Sequence, residues 1–206
     1  MLRIGLAGVQ GAGKTELAKA LKTKLEETGN YKSIAIIDDY IPEIEKETDL
    51  ALGFLATYIG NIYVAMGRAS RERLAAKNHD VVITCGTIFE TASYTAQQLE
   101  AEYQVIDDEA AKQDHIRRVE AAMKYISCLY VDLVQYDHIF HIPRVFQSDP
   151  DNSKIQELDK ALLIAFESFP LFDTTRIDKS GETIEDITND RVNKILEVIN
   201  ADQSEG

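Results

Sequence analysis

The stretch GVQGAGKT, Gly8 to Thr15, follows the apolar run LRIGLA and precedes ELAKALKTKLEE, where Leu17, Leu21 and Leu25 recur at every fourth position. A short apolar run, a glycine turn and an amphipathic pattern read as strand, turn and helix, with the helix spanning Lys14 to about Glu27 and stopped by Gly29. Glycines at 8, 11 and 13 let the backbone turn so that N–H groups converge at the helix N-terminus, where anionic oxygens are favoured. Lys14 adds a mobile positive charge for the β and γ phosphates, and the Thr15 hydroxyl is a hard oxygen suited to Mg²⁺. The match to G-x-x-x-x-G-K-[ST] predicts a cradle for ATP and Mg²⁺ built from Gly8, Gly11, Ala12, Gly13, Lys14, Thr15 and Glu16.

Working outward, short apolar runs near 2–7, 33–38, 80–85, 138–142 and 173–178 read as β-strands separated by amphipathic segments. That alternation predicts parallel βαβ units in an α/β, three-layer sandwich around a mostly parallel five-stranded sheet. The 206 residues fit one domain, 1–206, with no internal repeat. Apolar stripes at Ile116, Val119, Met123 and Ile126, at Ile155, Leu158 and Leu162, and at Ile184, Val192, Ile195 and Ile199 are expected core.

Composition narrows the function classes. Apolar residues make up 45% of the chain, which excludes global disorder, and the longest uncharged runs are interrupted by Gly, Asn and Tyr, so no membrane span is expected. Cys85 and Cys128 are too few for a disulfide framework and lack zinc spacing, which points to a reducing cytoplasm. The net charge of −13 opposes extensive binding to a nucleic-acid duplex.

The second strand sharpens the reading. SIAIIDDYIPEI ends in Asp38, Asp39 and Tyr40 at the carboxyl edge, where a parallel sheet delivers residues to a ligand crevice. Two carboxylates there can divide labour, one accepting a proton from an attacking hydroxyl and the other supporting Mg²⁺ through water. The guanine-reading N-K-x-D segment of a GTPase is not found, since the NK at 193–194 continues as IL. The third strand, DVVITCGT, lacks the terminal acidic pair of a motor-type ATPase, which argues against water as the preferred acceptor.

A phosphate cradle followed by a strand ending in D-D-[YF] resembles the P-loop kinases that phosphorylate hydroxyl groups. These include uridine and nicotinamide riboside kinases and the kinase domain of phage polynucleotide kinase. The resemblance implies a P-loop NTPase fold with a mobile lid and carries the acceptor-activating base onto Asp38, which leaves Asp39 as the carboxylate expected to support the metal. The segment YDHIFHIPRVFQSDPDNSKIQELDKALLIAFESF is similar to the lid region of such kinases. It offers Arg144, with Lys154 as the other candidate, to stabilise charge on the transferring phosphoryl group. The chain departs from the pattern after the third strand, where many members carry an Asp-Arg pair and this sequence reads TCGTIFETASY. Glu90 is the available substitute, or a first-turn charge complementing a helix dipole.

For the acceptor, Arg68, Arg71 and Arg73 cluster in an otherwise acidic chain, with Phe54, Tyr58 and Tyr63 nearby. Arg68 and Arg71, with Glu90, are the expected acceptor contacts, and His115, His138 and His141 show no ligand spacing. A nucleoside, nucleotide or related metabolite is the leading acceptor. A hydroxyl within a DNA or RNA strand is the alternative, needing only a local basic groove. A regulatory ATPase or nucleotide switch without an acceptor is a further alternative, motivated by the TCG strand end.

Overall fold

The computed structural model describes residues 1–38, 58–103, 105–144, 156–157, 159–160, 162–163, 174–178 and 180–205. Strands β1 (Leu2–Ala7), β2 (Ile34–Ile37), β3 (Val81–Cys85), β4 (His138–His141) and β5 (Thr174–Arg176) form one sheet in the order β2-β3-β1-β4-β5. All pairings are parallel, with Leu2 opposite Val81 on one side of β1 and Ile4 opposite His138 on the other. The central strands β1 and β3 are buried along nearly their whole length. This explains why they read as continuous apolar runs: helices cover both faces of a parallel sheet.

Among the described residues the long helices are α1 (Lys14–Glu27), α2 (Tyr58–Asn78), α3 (Ile88–Tyr103), α4 (Glu109–Leu129) and α5 (Ile184–Glu205). On one face, Leu17, Leu21 and Leu25 of α1 and Val192, Ile195 and Ile199 of α5 pack over Ile4, Leu6, Ile83 and Phe140. On the other, Ala65 and Ala69 of α2, Ile88, Phe89 and Ala92 of α3, and Ile126 and Leu129 of α4 cover Ala7 and Ile139. The alternation of Phe140 and Ile139 between the two cores is the two-residue period of a strand. The expected three-layer α/β sandwich is therefore the one observed.

Most expected stripe residues are buried or partly buried, including Val119, Met123, Ile126 and Leu162. Ile184 departs from expectation: it is 65% exposed as the first residue of α5, and Ile187, one turn later, takes the core position. Ile155 and Leu158 lie outside the described residues, as does most of the expected lid after β4. Among the described residues no helix is long and apolar enough to cross a membrane.

Beneath the sheet's carboxyl edge, α2 contributes a buried carboxylate, Glu72, whose Oε1 accepts a hydrogen bond from the Tyr136 hydroxyl at 2.9 Å. Burial pushes the Glu72 carboxyl up to about 7, against the opposing pull of Tyr136, Arg68 and Arg3. A carboxyl raised in the folded state holds its proton more tightly there than in the unfolded chain. It therefore contributes stability below pH about 4.5 that is lost as pH rises through about 7. We predict that the urea midpoint of the wild type falls relative to Glu72→Gln as pH is raised from 5 to 8; a pH-independent difference would refute the assignment.

Candidate active site

In a parallel sheet the loops leaving the carboxyl ends of the strands meet along one edge. Here that edge receives the cradle after β1, Asp38 after β2, the Gly86–Glu90 turn after β3 and Arg144 after β4. The cradle leaves β1 pressed against the exit of β4. The Ile142 N–H donates to the Ala7 carbonyl at 2.7 Å, and a Cβ added to Gly8 would collide with the Ile142 carbonyl oxygen. Gly13 caps α1 with φ 83°, a left-handed conformation that glycine adopts without steric cost, and no side chain caps the helix there. The first-turn N–H groups are thus directed to the position where an anion is favoured.

Lys14 folds back over this loop. Its Nζ donates to the carbonyls of Gly8 and Val9, the latter at 3.2 Å, and lies 3.7 Å from Glu90 Oε1. Glu90, in the first turn of α3 and buried, accepts from the Gly8 N–H at 2.8 Å through the same oxygen. The carboxylate that sequence offered as a substitute for the missing acidic strand end is therefore tied to the cradle itself. Arg68 stands behind it: its Nη2 and Glu90 Oε2 both lie 3.0 Å from where a Gly86 Cβ would stand. The Arg68 guanidinium is buried and donates to the Thr87 carbonyl at 2.7 Å, whereas Arg71 is exposed on α2.

Arg144 reaches the cradle from the far side, its Nε 3.5 Å from where a Gly11 Cβ would stand. Its Nη1 is buried with no hydrogen-bond partner among the described residues. A buried guanidinium N–H is costly unless an acceptor meets it, and the fork suits phosphate and carboxylate oxygens. On the α1 side, the Thr15 hydroxyl donates to Asp38 Oδ1 at 2.8 Å. A hydroxyl and a carboxylate at that separation are hard oxygen donors of the kind Mg²⁺ takes alongside phosphates, so these residues fit the ion. Asp39 lies outside the described residues, and Glu16 is exposed, pairing with Lys19 at 3.0 Å.

Cys85 ends β3 with its sulfur 3.7 Å from the Lys14 carbonyl. Burial pushes its thiol up to about 12, with the Asp38 carboxylate adding to the effect, which keeps it in the inert protonated form. His141 is buried with Nε2 3.0 Å from Asp159, and His138 lies 3.5 Å from Asp202. Among the described residues no group of three or more His, Cys, Asp or Glu could hold a metal. One functional neighbour goes unread from the motifs: Arg191 of α5, whose guanidinium donates to the Ala12 carbonyl of the cradle at 3.2 Å.

No family model matches the chain, and no curated protein matches it by sequence. Solved structures do. A thymidylate kinase from Ehrlichia chaffeensis superposes with a TM-score of 0.63 at 17% identity, covering 96% of this chain and 98% of its own. An NadR protein in complex with NAD and AMP-PNP gives 0.64 at 16% identity, over 97% of this chain and 49% of its own. A deoxyadenosine kinase from M. mycoides gives 0.54 at 12% identity, over 97% and 99%. The likeness is one of fold, and the α/β fold expected from the sequence is the fold observed.

The two cysteines give a chemical test of how tightly the cradle is backed. Iodoacetamide at pH 8 is expected to modify exposed Cys128 and spare Cys85 in the folded chain, and both after denaturation. Peptide mass spectrometry reads this; rapid labelling of Cys85 in the folded chain would contradict the packing of β3 against α1.

Proposed function

We propose that the chain is an ATP- and Mg²⁺-dependent kinase that transfers the γ-phosphoryl group to a hydroxyl of a nucleoside, nucleotide or related metabolite. The observation that carries this reading is the hydrogen bond between Thr15 of the cradle and Asp38 at the end of β2, which joins phosphate-holding and proton-accepting chemistry. The fold shared with thymidylate and deoxyadenosine kinases supports the same class.

In this mechanism the cradle N–H groups and Lys14 hold the triphosphate, Lys14 exchanging the carbonyls of Gly8 and Val9 for phosphate oxygens. Thr15 would hold Mg²⁺, which when bound would supply positive charge that withdraws electron density from the phosphates. Asp38 takes the proton of the acceptor hydroxyl as its oxygen bonds to the γ-phosphorus. The bond from that phosphorus to the β–γ bridging oxygen breaks, and ADP leaves with the electron pair. Arg144 neutralises charge on the equatorial oxygens, and Glu90, Arg68 and Arg71 line the approach of the acceptor.

The exposed Arg71, Arg73 and Lys77 on α2 favour a second reading, in which the hydroxyl belongs to a short DNA or RNA strand. Steeply salt-dependent turnover would select it over a free metabolite. A regulatory ATPase is the outcome if phosphate release proceeds at one rate regardless of acceptor.

Mass spectrometry of products from ATP and a panel of nucleosides, nucleotides and oligonucleotides tests the reading, which expects one class to gain a phosphoryl group. Asp38→Asn should lower transfer by about 10²-fold or more while leaving nucleotide affinity nearly intact, as loss of a general base does. Equal losses of affinity and turnover would instead place Asp38 at the metal.

A further inference from the structure

Helix α5 carries an apolar ladder, Ile187, Ile195 and Ile199, with Arg191 occupying the second rung. An arginine in such a ladder is desolvated: Arg191 is 3% exposed. Burial disfavours its charge, while Asp178 and Asp190 favour it. Among the described residues its donors do not go to a carboxylate. Nη1 donates to the Ala12 carbonyl at 3.2 Å and Nη2 to the Pro143 carbonyl at 2.6 Å.

The two carbonyls belong to different walls of the site. Ala12 precedes the Gly13–Lys14 start of α1, and its N–H closes the cradle turn on the Val9 carbonyl at 3.2 Å. Pro143 immediately precedes Arg144, whose guanidinium lies over Gly11. A planar fork with fixed N–H directions holds two acceptors at a set separation, which the single ammonium of lysine does less rigidly.

We propose that Arg191 is a positioning residue: it staples the cradle to the segment leading into Arg144, so that Lys14 and Arg144 act on one triphosphate. This rests on the kinase reading for its function, while the staple is a property of the protein without nucleotide. Its loss is therefore felt through Arg144, which makes the two residues energetically coupled.

Two measurements test it. In the protein without nucleotide, amide hydrogen exchange in the peptide spanning residues 8–15 should accelerate at least about tenfold in Arg191→Lys, and not in the surface variant Lys22→Ala. In a double-mutant cycle read by binding of a fluorescent non-hydrolysable ATP analogue, Arg191→Lys and Arg144→Gln should each weaken binding about tenfold. The double variant should lose little beyond either. Unchanged exchange, or losses that multiply in the double variant, would overturn the proposal, and thermal midpoints of the variants separate either result from general unfolding. A wild-type chain that binds no triphosphate while exchange still accelerates in Arg191→Lys would overturn the kinase reading and uphold the staple.

Discussion

No side chain fits between Gly8 and the carbonyl of Ile142. That steric limit holds the cradle against the exit of β4, and the arrangement of the candidate site depends on it. Because the two backbones touch, the residue that follows Ile142 and Pro143 is delivered across the loop rather than into solvent, and Arg144 lies over Gly11. The same closeness brings Ala12 and Pro143 within the span of one guanidinium from α5. A larger residue at position 8 would part β1 from β4 at the edge where their loops must cooperate.

The electrostatics of the site follow from that crowding. Glu90 Oε1 accepts the Gly8 N–H while standing 3.7 Å from Lys14, so one buried carboxylate faces both the loop backbone and its lysine. Lys14 is meanwhile satisfied by neutral carbonyls. Phosphate oxygens offer it stronger, charge-assisted partners, which provides a driving force for the lysine to turn outward. Arg144, whose buried Nη1 lacks a partner among the described residues, would gain an acceptor from the same phosphates. Both cations therefore favour a polyanion over the bare protein, although the chain as a whole carries −13.

The fold was largely legible in the sequence because its signals are local. The glycine turn, the Leu17–Leu21–Leu25 stripe and the unbroken apolar runs of β1 and β3 each report one strand or helix, and a parallel sheet follows from their alternation. Ile184 misled because a stripe does not reveal where a helix begins, and a first-turn residue can face solvent. The site was legible where a motif fixes the spacing, at Lys14 and Thr15. The tie between Glu90 and Gly8 spans 82 residues, and no local pattern encodes it. Arg191 did leave a trace, a charge interrupting an i, i+4 row of isoleucines, but what such a buried charge bonds to is settled only by tertiary structure.

The central claim is that this loop holds a triphosphate between Lys14 and Arg144 for transfer to a hydroxyl. A crystal structure with Mg²⁺ and a non-hydrolysable ATP analogue tests it most directly. The account predicts that Lys14 Nζ leaves the carbonyls of Gly8 and Val9 for the β and γ phosphates, with Arg144 on the γ oxygens and Thr15 at the metal. A nucleotide bound elsewhere, or a Lys14 still folded onto its own loop beneath the bound phosphates, would contradict it.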